Sequence, residues 1–320
     1  MQNLYIGVDL GGTNIAAGIV DRTGDIIAKK SVRTSLPKPE SELEKDIFNL
    51  CSDLCRENGY ELNKDIISIG IGTPGSVDGK RGVVWSNVNF GYTNWTIKEN
   101  LEKLFGMSIF VENDANTAIV AEVMAGNAVG CKNALVATLG TGVGGGVFID
   151  GQIYSGYNYS ALEVGHMVIR HNGRKCNCGR RGCFERYASA AALAKDTAAA
   201  MKKHPESLMW QVCPDIENVN AQTAFDAMRM GDVTGEKLVR RYVEYLACGL
   251  VNLINIFQPE VICLGGGVSN EKEFLLDLLK PYIDREDFAH NAQERVTVKI
   301  AKFRNDAGII GAAMLGVNNA

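Results

Sequence analysis

Apolar residues fall into short unbroken runs closed by glycine, alternating with stretches at helical spacing. Leu4 to Asp9 is such a run, closed by Gly11-Gly12, and predicts a buried strand. Ile15–Val20 and Asp25–Val32 follow as strands around the turn Asp21-Arg22-Thr23-Gly24, so the chain opens as an antiparallel meander. From Ser41 to Glu57 the period changes. Leu43, Ile47, Leu50 and Leu54 lie on one helical stripe, with Ser41 as the expected N-cap. Ile66–Gly72 and Ile109–Glu112 read as buried strands, the latter leading into a helix from about Ala115 to Ala125.

The pattern then restarts. Ala134–Leu139 is a strand, Gly140–Gly146 a glycine turn, and Val147–Ile149 a returning strand, with Ile153-Tyr154 beyond. Strand, glycine turn and strand thus occur twice at long separation, the mark of two related domains and not of a solenoid. Helices are expected at about Ala188–Lys202, Thr223–Met230 and Gly235–Phe257. The strand Val261–Leu264 ends at Gly265-Gly266-Gly267. A helix near Asp277, a strand Val296–Ile300 and a helix from about Ala307 complete the chain. No linker or charge block marks a boundary, and the repeat alone places the break near Asn116.

Composition narrows the function classes. Of 320 residues, 46 % are apolar and 22 % charged, which suits one or two soluble domains and excludes a disordered chain. The formal charge of −4 makes nucleic acid and anionic lipid poor partners. Leu246–Phe257 is too short to span a bilayer and carries Asn252 and Asn255. Met1-Gln2-Asn3 runs directly into strand without a basic stretch or cleavage site, so the expected location is cytoplasmic, where nine cysteines serve as thiols or metal ligands before disulfides. The 35 glycines against seven prolines suggest tight turns and close approach to a ligand.

Glycine lets backbone N–H groups face an anion, and three loops offer this: Gly11-Gly12-Thr13, Gly140–Gly146 and Gly265–Gly267. Gly140-x-Gly142-x-x-Gly145 fits the dinucleotide fingerprint, but strand and not helix follows it, and no Walker lysine is present. What remains is a hairpin phosphate clamp. Asp9 before the first turn either faces a nucleotide-bound Mg²⁺ through water or caps the turn. In Glu112-Asn113-Asp114, at a strand-to-helix junction, Asp114 reads as an N-cap or as a base for a substrate hydroxyl, and Asn113 can donate and accept toward a polyol. Cys176-x-Cys178-x4-Cys183 with His166 ten residues upstream makes a closed tetrahedral zinc set, the alternatives being buried thiols or a labile disulfide. Glu163 and Glu185 flank that cluster, and two carboxylates with a histidine are natural acceptors for adjacent sugar hydroxyls.

Six motifs now stand in order: Asp9-x-Gly-Gly-Thr13-Asn14, Glu112-Asn-Asp114-Ala-Asn116, Leu139-Gly-Thr-Gly-Val-Gly-Gly-Gly146, Glu163-x-Gly-His166, Cys176-x-Cys-Gly-x-x-Gly-Cys183-x-Glu185 and Leu264-Gly-Gly-Gly-Val-Ser269. Together they resemble the ROK family (repressors, open reading frames and sugar kinases), most closely its bacterial glucokinases, over nearly the whole chain. The resemblance implies an α/β, actin-like and hexokinase-like (ribonuclease H-like) fold of two domains around a central cleft. The small domain would hold residues 1–116 and about 303–320, and the large domain 117–302 with the zinc loop. It implies ATP-dependent phosphorylation of a hexose, foremost glucose, at the 6-hydroxyl, with Mg²⁺ and a structural Zn²⁺. Asp114 would be the catalytic base. Gly75, Asn89, Asn113, Asp114, Glu163, His166 and Glu185 would contact the sugar. Asp9, Gly11, Gly12, Thr13, Asn14, Thr141, Gly142 and Gly266 would serve the nucleotide. His166, Cys176, Cys178 and Cys183 would hold the zinc, and a homodimer is implied.

One stretch departs from the family. Many relatives carry small, Gly-rich residues before Glu163, and this chain has Tyr159-Ser160-Ala161-Leu162, a bulkier wall beside the sugar. N-acetylmannosamine, N-acetylglucosamine, fructose or allose are therefore alternative substrates, and polyphosphate an alternative donor. A sugar-sensing regulator needs a helix-turn-helix before the first motif, where eight residues read as strand. An actin-like polymer leaves the cysteine cluster unexplained.

Overall fold

The computed structural model describes residues 3–87 and 90–317. The chain divides into two compact units. The first is Met1–Ala134, Gly146–Leu162 and Lys302–Ala320, and the second is Leu135–Gly145 and Glu163–Ala301. The expected break at Asn116 falls inside the helix Asp114–Ala125, all of which lies in the first unit.

The first unit is built on a sheet of β1 (Leu4–Leu10), β2 (Asn14–Asp21), β3 (Ile26–Arg33), β4 (Ile66–Thr73) and β8 (Ile109–Asn113) in the order β3-β2-β1-β4-β8. The meander β1–β2–β3 is antiparallel as the turns predicted, while β4 and β8 add in parallel. Helix α1 (Glu40–Glu57) buries Leu43, Ile47, Leu50 and Leu54, the stripe read from the sequence. Its N-cap is Pro39 and not Ser41, and no side chain caps it. Proline's fixed φ presets the start, and Glu40 and Glu42 favour the positive end of the dipole. Beyond β4 the chain forms a small antiparallel sheet of β5 (Ser76–Asp78), β6 (Val83–Asn87) and β7 (Tyr92–Trp95), which the sequence reading did not resolve. The short α2 (Leu62–Asp65), then α3 (Ile97–Phe105) and α4 (Asp114–Ala125), complete this stretch.

The last helix, α11 (Ala307–Val317), is buried along nearly its whole length. Three glycines make that possible. Gly18, Gly7 and Gly70 stand side by side on β2, β1 and β4. A methyl group on Gly7 would strike the carbonyl oxygen of Ile309, and one on Gly70 that of Ala312. Gly311 does the same for the approach to α4, where Thr117 O is the obstacle. Part of the glycine excess therefore serves helix-on-sheet contact and not ligand approach. Gly70→Ala is expected to destabilise the fold by about 3 kcal/mol, because backbone and not a movable side chain is in the way. A urea midpoint equal to that of the unaltered protein would contradict it.

The second sheet has the order β11-β10-β9-β12-β13, formed by β9 (Ala134–Leu139), β10 (Val143–Ile149), β11 (Gln152–Ile153), β12 (Val261–Gly265) and β13 (Thr297–Ile300). Third, second, first, fourth, fifth is also the order of the first sheet, so the repeat seen in the motifs is a repeat of topology. The glycine turn is shorter than expected. Gly144, Gly145 and Gly146 belong to β10, and Gly146 lets the backbone of Ala115 come near. The second unit's helices are α5 (Glu185–Ala188), α6 (Ala190–Met201), α7 (Met209–Val212), α8 (Ala221–Arg229), α9 (Val233–Phe257) and α10 (Glu273–Glu286). The apolar run Leu246–Phe257 is the buried end of α9, and no described helix is long and apolar enough to cross a membrane.

Candidate active site

Within the first unit, β1 delivers Asp9 and the turn Gly11–Thr13. The turn is closed by Gly11 N–H donating to Asn14 O at 3.0 Å. Thr34, fully buried, pins it from the next strand: its N–H donates to Thr13 O at 2.9 Å and its hydroxyl to Gly11 O at 2.7 Å. Gly12, Thr13 and Asn14 are left exposed at the tip. Thr34 escaped the sequence reading because a threonine after a strand carries no pattern of its own.

At the end of β8 the helix cap is Asn113 and not Asp114. The Asn113 Oδ1 accepts from Ala115 N–H at 2.9 Å and Asn116 N–H at 3.3 Å, and its Nδ2 donates to Gly75 O at 3.0 Å. Asn113 can therefore offer a sugar only its remaining N–H, as a donor. Freed from capping, Asp114 is the first residue of α4, with Oδ1 accepting from Ala115 N–H at 2.9 Å. Glu112, buried, accepts from Asn113 N–H and from Asn116 Nδ2 at 2.8 and 3.0 Å, which fixes the junction from behind. Gly75, at φ 108°, is a position a side chain could not take, since Ser86 O stands against it. The loop before it is held by Asn87, whose Nδ2 donates to Pro74 O at 2.7 Å. Asn89, expected at the sugar, lies outside the described residues.

Burial, then the charge of Asp114, pushes the Asp9 carboxyl up to about 6. Loss of solvent raises Asp114 as well, partly offset by the Ala115 N–H. Neither forms an ion pair among the described residues. Two crowded carboxylates without a cation are a set that a Mg²⁺ ion with bound phosphates would suit.

In the second unit, Gly140 N–H donates to Gly142 O at 3.0 Å, which leaves Thr141 exposed at the turn. Glu185 begins α5, and its Oε2 accepts from Val143 N–H at 3.2 Å. One of its oxygens thus braces the Gly140–Val143 turn, a role the sequence did not suggest. Gly165 packs against Val143 O, so the Glu163-x-Gly-His motif is stitched to the same turn. Glu163 and His166 close a 3₁₀ turn, with His166 N–H donating to Glu163 O at 2.9 Å. Gly266, at φ 80°, sits where a side chain would run into the Leu139 backbone, and the buried Ser269 hydroxyl holds its carbonyl at 2.7 Å.

The ligand atoms of His166, Cys176, Cys178 and Cys183 lie within 4.8 Å of one another. Cys178 Sγ and Cys183 Sγ are 3.6 Å apart, too far for a disulfide and close to the roughly 3.8 Å that two Zn–S bonds of about 2.3 Å subtend at a tetrahedral angle. His166 Nδ1 is 3.7 Å from Cys176 Sγ, which leaves Nε2 on the ring's far side. Burial and the neighbouring thiols push Cys183 up to about 12, while Arg180 N–H draws Cys178 down. Three such thiols ionise together only around a cation, so the donor set fits zinc.

The ROK family profile matches residues 5–318. The chain belongs to the ROK family. It is 35 % identical over 311 residues to a glucokinase of Thermotoga maritima, covering 97 % of this chain and 96 % of that one. A glucokinase of Halalkalibacterium halodurans is 34 % identical over 316 residues, covering 97 % and 94 %. The structure resembles that of a ROK family glucokinase from Streptomyces griseus in complex with glucose and AMPPNP. The TM-score is 0.83 at 31 % identity, with 99 % of this chain and all of that chain covered. The fold is accordingly the actin-like, hexokinase-like two-domain α/β architecture that the ROK motifs implied.

Proposed function

We propose that this ROK protein transfers the γ-phosphoryl group of ATP to the 6-hydroxyl of a hexose, with glucose as the preferred acceptor. The observation that carries this reading is Asp114. It stands just beyond the end of β8, relieved of capping by Asn113, without an ion pair among the described residues and with its carboxyl raised by burial. An ionised Asp114 takes the proton of the 6-hydroxyl as that oxygen forms its bond to phosphorus, and the bond from phosphorus to the leaving ADP oxygen breaks.

Gly75 carbonyl, the free N–H of Asn113, Glu163, His166 through Nε2 and the second oxygen of Glu185 are the proposed sugar contacts, with Asn89. Gly11, the N–H groups of Gly12 and Thr13, and Thr141, Gly142 and Gly266 are assigned to the nucleotide, with Gly11 N–H and Asn14 closing the first turn. Asp9 would hold Mg²⁺ through water, and that ion neutralises phosphate charge when bound. The cytoplasm and a homodimer belong to the same reading.

A coupled ADP-release assay over glucose, N-acetylmannosamine, N-acetylglucosamine, fructose and allose tests it. ADP should form only with sugar present and with the highest kcat/KM on glucose. A higher value for another sugar would overturn the assignment to glucose, and ADP formation without sugar would overturn the kinase reading.

A further inference from the structure

Helix α11 meets the first strand at one more point. Gly308, in its first turn, lies against the side chain of Asp9 from the other end of the chain. A methyl group on Gly308 would stand 2.7 Å from both Cγ and Oδ2 of Asp9 and 3.2 Å from its Cβ. The carboxyl thus rests on bare helix backbone. Among the described residues it has no ion pair and no hydrogen bond to its side chain, so packing alone sets its orientation. The place suits its charge as well, because the first turn of an α-helix carries partial positive charge.

The wall behind Asp9 is fixed. The carbonyls of Ile309 and Ala312 are seated against Gly7 and Gly70, and Gly311 is seated against Thr117 O. The approach to the helix is tied down too. The buried Glu122 accepts from Lys302 N–H at 2.8 Å and Phe303 N–H at 3.3 Å, and Lys29 donates to both oxygens of Asp306 at 2.9 and 3.1 Å. Bulk added at residue 308 therefore cannot be relieved by shifting the helix. The soft partner is the Asp9 side chain, which turns about two single bonds. What a methyl group meets separates this glycine from its neighbours. At Gly7 and Gly70 it meets backbone, and the loss falls on stability; at Gly308 it meets a carboxyl, and the loss falls on where that carboxyl points.

We propose that Gly308 is a positioning residue for the nucleotide-bound metal: its missing side chain lets the Asp9 carboxylate lie on the start of α11 in the orientation that serves Mg²⁺. The proposal rests on the reading of Asp9 as the residue that holds this ion through water. Gly308 itself touches neither ion nor nucleotide in this account and acts only through Asp9.

The test is calorimetric binding of AMPPNP with Mg²⁺ to the full-length protein, alongside urea unfolding of each variant. Gly308→Ala should bind the magnesium nucleotide at least fivefold more weakly, with sugar affinity within twofold. Its urea midpoint should change little, since alanine is the better helix former. Asp9→Ala should weaken binding at least as much. The double variant Asp9→Ala/Gly308→Ala should match Asp9→Ala within twofold, because a residue that acts through another adds nothing once that other is gone. Gly70→Ala strains the same helix, but its methyl group meets Ala312 and not Asp9, so it should lower the urea midpoint and bind within twofold of the unaltered protein. Full affinity in Gly308→Ala, a further loss in the double variant, or an equal loss in Gly70→Ala would overturn the proposal and leave the role of Asp9 standing. Full affinity in Asp9→Ala would overturn that role, and the proposal with it. If Gly308→Ala unfolds more readily, the double variant should regain the lost midpoint; no recovery would show that the carboxyl is not the obstacle and would overturn the proposal as well.

Discussion

Asp114→Asn is expected to lower kcat by about a thousandfold while sugar affinity changes by less than about tenfold, because proton removal by a placed base contributes roughly that factor. Asparagine keeps the size and the Ala115 N–H contact but cannot take a proton. Its helix stays capped, since the cap is Asn113, so the loss should not come with a drop in melting temperature. The pH profile of the unaltered enzyme follows from the same residue. Its carboxyl is raised, so the protonated and inactive form persists to higher pH than for an ordinary aspartate. As pH falls, kcat/KM should therefore decline early, with a limb above the usual carboxylate range. Bound Mg²⁺ should pull that limb downward, since a cation favours the charged forms of both Asp114 and Asp9. Single-turnover measurements with calorimetric sugar binding check the first statement. A variant that keeps wild-type kcat would remove Asp114 from the chemistry.

How much of this was legible beforehand differs by residue. The strands of both glycine hairpins and the stripe Leu43–Leu54 were plain, because burial on one or both faces imposes a period that side-chain type reveals. The sheet β5-β6-β7 was not, because β6 and β7 place two exposed residues side by side and so show neither an unbroken apolar run nor strict alternation. The cap of α1 was misread and that of α4 left open. Ser41 and Asp114 have good capping chemistry, but Pro39 and Asn113 hold the backbone geometry that decides the position. The glycine excess was read as ligand approach, whereas Gly7 and Gly70 admit α11 onto the sheet and Gly311 brings it against α4, contacts across roughly two to three hundred residues that no local window contains.

The candidate site followed the same logic. Motifs named Asp9, Asp114, His166 and the three cysteines directly, since each is a reactive group at a recognisable spacing. The contacts that hold them in place were not legible. Thr34 and Asn87 act through hydrogen bonds to loops distant in sequence, Glu112 braces its own junction from behind, and Glu185 turned out to touch the Gly142–Val143 turn as well as flanking the cysteine cluster.

That last contact sets the second large effect. Cys183 is followed by Phe184, fully buried against Gly249 of α9, and then by Glu185, whose carboxylate braces Val143 N–H. A metal held at Cys183 would therefore fix both the start of α5 and, through it, the glycine turn assigned to the nucleotide. Freshly purified protein should contain about one zinc per chain. Chelation, for which the exposed Cys178 offers an opening, or Cys176→Ser should release it and lower kcat/KM for ATP by about ten- to a hundredfold, the scale seen when support of a metal-ordered site is lost. First-unit features such as the Gly11–Thr13 turn do not depend on that hairpin, so unfolding should be partial: near-ultraviolet circular dichroism changes while most helix content survives. Glu185→Gln should reproduce part of the ATP defect with zinc still bound, because the amide oxygen accepts the Val143 N–H more weakly than a carboxylate. Metal analysis that finds no zinc in unchelated protein, or full activity after its removal, would break the link between the cysteine hairpin and the nucleotide turn.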